Sequence, residues 1–327
     1  MIGETQSHYL LGKAMELRHL RYFIAVAEEG HLTRAAERLG IQPPPLSRQI
    51  KAIEREIDVQ LFHRKPRGVE LTDAGRALLD DARAMLTHLD HALDTARRTA
   101  RGERGRISVG YTSGAGLHPL VQRVIREFRE AFPLVSMTLA EDFPYDLSER
   151  LRNDQIDVAF IRTPVANPEG IVIDALQEEG VIAALPSGHP LARRKIKGDM
   201  ALPLKALAGE TFVIYGRPQG TLTLQGNAIV AGCEAAGFSP RVGYIAPHHL
   251  STLNLVAAGL GVSIISASVQ RMNIEGVVFR RLKGAGQIKV PLNLASRRGD
   301  PSAVVRQFRM LAKGTARNFR VDEGKSR

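Results

Sequence analysis

Leu17, Leu20, Phe23, Ile24 and Ala27 recur at the spacing that turns one face of a helix inward. They predict a helix from about Glu16 to Glu29, closed by Gly30, a residue that tolerates the left-handed turn at a helix end. A second helix follows from about Leu32 to Leu39, with Gly40 as its stop, and its Ala35-Ala36 pair lets another helix cross closely. Prolines at 43, 44 and 45 cannot sit inside a helix, but one can occupy its first turn, so a third helix is expected from about Pro45 to Ile57. Leu46, Ile50, Ile53 and Ile57 form its buried stripe, and Ser47, Arg48, Lys51 and Arg55 lie opposite.

Leu61-Phe62, then the basic turn His63-Arg64-Lys65-Pro66-Arg67-Gly68, then Val69 and Leu71 around Glu70 read as a two-stranded wing with Arg64, Lys65 and Arg67 at its tip. Thr72 is a good N-cap, and Asp73 complements the dipole of the helix it opens. In that helix, expected from about Asp73 to Thr99, Leu79, Ala82, Leu86, Leu89, Leu93 and Ala96 are spaced 3, 4, 3, 4 and 3. This a/d seam wants a second helix against it, as in a dimer. The three short helices and wing are the arrangement of a winged helix-turn-helix, whose third helix enters the major groove. A small helical domain with a solvated basic face is the alternative that the helix pattern leaves open.

After Gly105 the period changes. Ile107, Val109 and Tyr111 alternate as a strand; a helix is expected from about Pro119 to Ala131, a strand at 135–140, a helix near 145–153 and a strand over Asp157–Ile161. Further strand-like runs fall at 180–185, 211–215, 242–245, 262–265 and 290–295, alternating with helices near 223–237 and 250–258. That alternation implies an α/β domain with a mostly parallel, covered sheet. The turn Thr112-Ser113-Gly114-Ala115-Gly116 has neither GxGxxG nor a Walker lysine. It reads as a tight turn or as a set of backbone N–H groups facing a small anion.

The 327 residues suggest two or three domains at roughly 100–200 residues each. No apolar run reaches the ~18 residues of a membrane helix. One cysteine, Cys233, excludes an intramolecular disulfide and a multi-thiolate zinc site, which favours the cytoplasm. The net charge of +11 points to an acidic partner, yet residues 1–105 carry 17 Lys/Arg against 15 Asp/Glu, while 106–327 carry 28 against 19. Only the local excess between Pro43 and Gly68, six Lys/Arg against three Asp/Glu, marks a DNA surface. No HExxH, GxSxG or Cys/His cluster occurs among the ten histidines, so neither an enzyme nor a cofactor or metal is expected. His248-His249, read in a strand, would point apart, and His189 reads as a loop residue.

The run from His19 to Gly75, HLRYFIAVAEEGHLTRAAERLGIQPPPLSRQIKAIEREIDVQLFHRKPRGVELTDAG, resembles the N-terminal domain of LysR-type transcriptional regulators. GRISVGY at 105–111, IDVAFIR at 156–162, PSGHPLA at 186–192 and LVAAGLGVSII at 255–265 extend the resemblance over nearly the whole chain. It implies an N-terminal all-α winged helix-turn-helix at 15–72 behind an extension at 1–14, and a dimerising linker helix at 73–104. It further implies a two-lobed periplasmic-binding-protein-like effector domain at 105–313 and a tail at 314–327. Its first lobe would be 105–178 with 283–313 and its second 179–282, joined by a hinge near 178–180 and 280–283. Such a regulator would bind interrupted inverted repeats in double-stranded DNA as a dimer of dimers and contact RNA polymerase, with no membrane partner. It would respond to a small organic acid between its lobes, the surrounding sequence resembling regulators of aromatic catabolism.

The residues this assigns to DNA are Gln42, Pro44, Ser47, Arg48, Gln49, Lys51, Arg55, Arg64, Lys65 and Arg67. Relatives commonly carry Gln where this chain has Pro43, which unsettles base reading there. The effector positions that match are Thr112, Ser113, Gly114, Pro144, Arg162, Thr163, Tyr215, Thr223 and His248. Arg162, at a strand end, would either complement the acid's charge or pair with an Asp or Glu across the lobes. An architectural DNA binder without an effector, and an α/β enzyme with a regulatory head, are the rival readings.

Overall fold

The computed structural model describes residues 15–162, 169–193, 201–216 and 222–325. The chain divides into two units, Met1–Arg97 and Arg98–Arg327.

The first unit contains α1 (Leu17–Glu29), α2 (Leu32–Leu39), α3 (Pro43–Glu56), an antiparallel wing of β1 (Phe62–Lys65) and β2 (Gly68–Leu71), and α4 (Asp73–Ala100), which runs on into the second unit. Gly30 and Gly40 close α1 and α2 at φ of +59° and +68°, the left-handed region expected of them. α3 begins two residues earlier than its periodicity suggests. Pro43, Pro44 and Pro45 fill its first turn, where backbone N–H groups have no helical acceptor, so nothing is lost by their absence. Phe23, Leu46, Ile53 and Leu61 are fully buried around Ala35 and Ala36, and the rings of Phe23 and Phe62 pack 5.4 Å apart.

The root of α4 belongs to this core. Thr72 Oγ1 accepts from Gly75 N–H at 2.9 Å and donates to the Gln60 carbonyl at 2.8 Å. Ala82 is completely buried and Leu79 packs against the same cluster. The expected seam is therefore corrected at its start: Ala82 has no surface to offer a partner. Leu86, Leu89, Leu93 and Ala96 carry the stripe onward, with Leu93 46% exposed.

In the second unit, β3 (Arg104–Tyr111), α5 (Ser113–Gly116), α6 (Pro119–Ala131), β4 (Leu134–Glu141), α7 (Pro144–Arg152), β5 (Val158–Ile161) and β6 (Ile171–Glu179) build one lobe. A second is built from β7 (Val181–Pro186), α8 (Pro190–Arg193), β8 (Leu202–Pro203), β9 (Thr211–Tyr215), α9 (Leu224–Ala235), β10 (Arg241–Ala246), α10 (His249–Ala257), β11 (Ser263–Ser266) and β12 (Val277–Lys283). β13 (Val290–Arg297) and α11 (Ala303–Lys325) return to the first. The first lobe's sheet runs β4-β3-β5-β13-β6, the second's β11-β7-β12-β8, with β9 and β10 alongside through a Phe212–Val262 bridge.

Both sheets are mixed rather than mostly parallel. β3 lies parallel to β4 and β5, but β13 arrives from the other lobe and runs antiparallel to β5 and β6. The first crossing is Gly180 alone. The second lies between Lys283 and Val290, later than expected, because Ala285 and Ile288 still pack in the second lobe's core. The supposed tail is helix through Lys325; Val304, Val305, Phe308, Ala312 and Ala316 form a buried stripe, with Phe308 edge-on to Phe128 at 4.9 Å. Each lobe is thus a sheet covered on both faces.

Candidate functional site

Two sites lie in separate units. On the first, the buried stripe of Leu46, Ile50 and Ile53 holds α3 against the core and turns its other face outward. Gln42, Pro44, Arg48, Lys51 and Arg55 are exposed on it, with Ser47 and Gln49 half-buried beside them. Gln42 sits at the N-cap of α3 without a side-chain capping bond. Arg55 Nε donates to the Lys51 carbonyl at 3.1 Å. In the wing, Arg64, Lys65 and Arg67 are exposed, and Lys65 pairs with Glu70 at 3.0 Å. Arg48, Lys51, Arg64 and Arg67 make no ion pair among the described residues. Glu54 locks wing to helix by accepting from the N–H groups of Leu61 and Phe62 at 2.9 and 3.2 Å. The result is a row of unneutralised cations on a rigid frame, suited to phosphate and base edges.

The second site is the space between the lobes. Arg162, at the end of β5, is 3% exposed and far from free. Its Nε and Nη2 donate to the Gly114 carbonyl at 3.1 and 3.0 Å, Nη2 donates to Ser268 Oγ at 2.8 Å, and Nη1 lies 2.5 Å from Glu179 Oε1. Ser268 in turn donates from its backbone and hydroxyl to the Glu179 carboxylate at 3.0 and 2.9 Å. Of the two expectations for Arg162, the internal ion pair is the arrangement found. A buried guanidinium loses its hydration and must recover it from acceptors within the fold. Burial pulls its pKa down, opposed by the Glu179 charge. Ser268 comes from the second lobe and Glu179 from the last residue before the crossing, so the network spans both lobes and the hinge.

Two histidines flank it. His118 Nδ1 caps α6 by accepting from Leu120 N–H at 3.1 Å. Burial lowers its pKa to about 4, helped by the charges of Arg162 and Arg271. His249 is buried, stacked on Tyr215 at 4.5 Å, and likewise lowered to about 4 by burial and then by Arg162. A Cβ on Gly114 would stand 2.8 Å from His249 Nε2, so glycine lets the lobes touch there. The adjacent histidines are not in a strand: His248 is the N-cap of α10 and His249 its first residue, which leaves one exposed and one buried.

The remaining effector positions divide by what already holds them. Thr112 and Thr223 use their hydroxyls to cap α5 and α9, and Thr223 Oγ1 also donates to the Tyr215 carbonyl at 3.2 Å. Ser113 lines a cavity of about 550 Å³ with Tyr111, Leu117, Val121, His248 and Met272. Pro144 opens α7 beside Phe143, whose ring faces His248 at 6.0 Å. Thr163 lies outside the described residues. His189 is held in its turn by Leu191 N–H and by Glu210 at 3.2 Å. Cys233 is buried in α9, its pKa pushed up to about 11 by burial. Sequence reasoning names His249 only as half of an adjacent pair, and it does not reach Glu179, Ser268 or His118. For Glu179 a signal existed: the acidic pair Glu178-Glu179 directly before Gly180, at the lobe crossing. Among the described residues no group of three His, Cys, Asp or Glu could hold a metal ion, and no helix is long and apolar enough to cross a membrane.

Residues 17–76 match the family described as "Bacterial regulatory helix-turn-helix protein, lysR family", and residues 100–317 match "LysR substrate binding domain". HTH-type transcriptional regulator BudR of Raoultella terrigena is 34% identical over 294 residues, covering 90% of this chain and 99% of that protein. TfdS of Cupriavidus pinatubonensis is 36% identical over 299 residues, covering 91% and 98%. The crystal structure of CbnR, a LysR family transcriptional regulator, aligns at a TM-score of 0.80 and 30% identity over 91% of this chain and 100% of that one. Full-length CbnR complexed with its target DNA aligns at 0.77 and 30% identity over 92% and 100%.

Proposed function

The chain belongs to the LysR family of helix-turn-helix transcriptional regulators, and we propose that it is a non-catalytic switch responding to a small organic acid of aromatic-catabolism type. It binds an interrupted inverted-repeat operator as a dimer of dimers. Leu86, Leu89 and Leu93 join the linker helices, α3 reads the major groove, and the wing tip meets phosphate or minor groove.

The observation that carries the effector reading is the buried Arg162–Glu179–Ser268 network across both lobes. An acid entering beside Ser113, with His248 on the far wall, brings a second carboxylate toward a guanidinium that already holds one. Exchange of Glu179 for the ligand's carboxylate would release the hinge strand and Ser268 together. The acid thereby favours one lobe angle by its differential affinity for the two arrangements. That angle then alters DNA bending and contact with RNA polymerase.

The test is a footprint of the operator region beside its own gene, with and without muconate- and benzoate-like acids. A protection pattern that changes with one acid supports the switch. A pattern that no acid changes leaves an architectural DNA binder instead, and steady turnover of an acid would mark an enzyme.

A further inference from the structure

Glu28 and Glu29 stand at the C-terminal end of α1, where a helix dipole disfavours carboxylates, and no basic residue occupies that last turn. Three arginines from other elements compensate. Arg38, in α2, reaches Glu28 at 2.8 Å and Glu29 at 3.4 Å, and Arg34 lies 4.0 Å from Glu29. Arg83, in α4 and 55 residues along the chain from Glu28, pairs with Glu28 at 2.7 Å. Hydrogen bonds from Arg83 and then Arg38 hold the Glu28 carboxyl below its usual range. One carboxylate thus joins three helices: α1, α2 and the start of the dimerising stripe.

Arg83 lies next to Ala82, the last point at which α4 is buried in the unit, and three residues before Leu86. Nearer its root, α4 presses so closely on the wing that a Cβ on Gly75 would stand 2.2 Å from the Leu61 carbonyl oxygen. That contact fixes where α4 starts but leaves its swing away from α1 to be set further along. Among the described residues, Ala82 is the last position of α4 that belongs to this hydrophobic core.

We propose that Glu28 is a positioning residue: through Arg83 it fixes the angle at which α4 leaves the helix-turn-helix, and thereby the separation of the two recognition helices in a dimer. The proposal rests on the paired-seam reading of α4. The pairs are half-exposed, and such pairs contribute little to folding, so the effect is a bias in geometry rather than in folding.

The experiment measures binding of full-length protein to the footprinted operator and to versions with the centre lengthened or shortened by one to three base pairs. A single half-site fragment serves as control. Wild type should favour one spacing. Glu28→Gln and Arg83→Gln should flatten that preference by roughly two- to fivefold, the factor that about 0.4–1 kcal/mol gives. Half-site affinity and melting temperature should stay unchanged, and the conservative Arg83→Lys, which keeps a cation opposite Glu28, should retain more of the preference than Arg83→Gln. A dimeric Glu28→Gln protein with the wild-type spacing profile overturns the inference alone, as does a fall in half-site affinity and melting temperature together. A chain that light scattering shows to be monomeric at every concentration overturns the seam and this inference with it.

Discussion

The two cationic regions of this chain treat charge in opposite ways. On α3 and the wing, Arg48, Lys51, Arg64 and Arg67 stand in solvent and make no ion pair among the described residues. Between the lobes, Arg162 is almost wholly enclosed and is met by a carbonyl, a hydroxyl and a carboxylate. An exposed cation keeps its hydration and releases it only when phosphate arrives, so its contribution belongs to binding. A desolvated cation is tolerable only where the fold supplies acceptors, so its contribution belongs first to structure, and a ligand reaches it only by exchange. Substitutions in the two regions should therefore separate into stability effects and affinity effects.

The largest effect should come from Glu179→Ala. Removing the carboxylate leaves Arg162 buried with a carbonyl and a hydroxyl but no counter-charge, and breaking a buried pair in this way costs about 3–5 kcal/mol. Denaturant unfolding of the full chain, followed through the transition of the second unit, measures it. A loss below about 1 kcal/mol would show that water replaces the carboxylate, and that the contrast with α3 is weaker than the burial of Arg162 implies.

Acid sharpens the same contrast. His118 and His249 have folded pKa values of about 4, against a value near 6.5 when free. Between these values the unfolded chain binds protons that the folded chain refuses, so stability is complete above pH ~6.5 and is lost as pH falls toward 4. At about 1.36 kcal/mol per unit, each histidine accounts for about 3 kcal/mol at the acid limit. Thermal melting of His249→Gln and His118→Gln from pH 7 to pH 4.5 should show shallower acid slopes than wild type. Parallel slopes would mean that protonation is absorbed without disturbing the interlobe cluster.

The same difference explains what could be read in the residues beforehand. The helix-turn-helix is built from local signals: apolar stripes, two left-handed glycines, prolines in a first turn and a basic strand turn. Each follows from a few neighbouring residues. The interlobe cluster is not local. Arg162 and Ser268 are 106 positions apart, and nothing near Arg162 distinguishes a free cation from a paired one. β6 carries a weak signal for a related reason: its burial does not alternate along Ile171–Glu179, and its pairing with β13 shifts register between Leu292 and Asn293. α11 carries a stripe at Val304, Val305, Phe308, Ala312 and Ala316, but the interspersed arginines and lysine give it the look of a polar tail. The seam of α4 reads as one surface from Leu79 to Ala96, but an a/d pattern does not mark where a helix leaves its own domain and starts to need another.

At the exposed site, Arg48→Ala should leave folding untouched and cost specific affinity about 1–3 kcal/mol if the guanidinium reads a base edge. Titration against the footprinted operator and a scrambled duplex separates the cases. A loss on the operator alone assigns base reading to Arg48, whereas equal loss on both makes it a phosphate contact. No loss on either would move the recognition surface away from the N-terminal half of α3.

The smallest change should come from the wing, and it shows most clearly in salt. Arg64 and Arg67 flank Lys65, whose charge is already shared with Glu70 at 3.0 Å, so the two arginines are the wing's unneutralised cations. Each phosphate neutralised by such a residue contributes about −0.9 to the slope of log affinity against log salt. Arg64→Ala or Arg67→Ala should therefore reduce the slope by about one, weakening binding similarly on operator and scrambled DNA. Lys65→Ala should change the slope less, because Lys65 is engaged by Glu70 and neutralises less phosphate than the two arginines. A wing whose arginines alter specificity but not salt dependence would be reading minor-groove shape rather than touching phosphate. The line between the two regions would then fall within the DNA-binding unit itself.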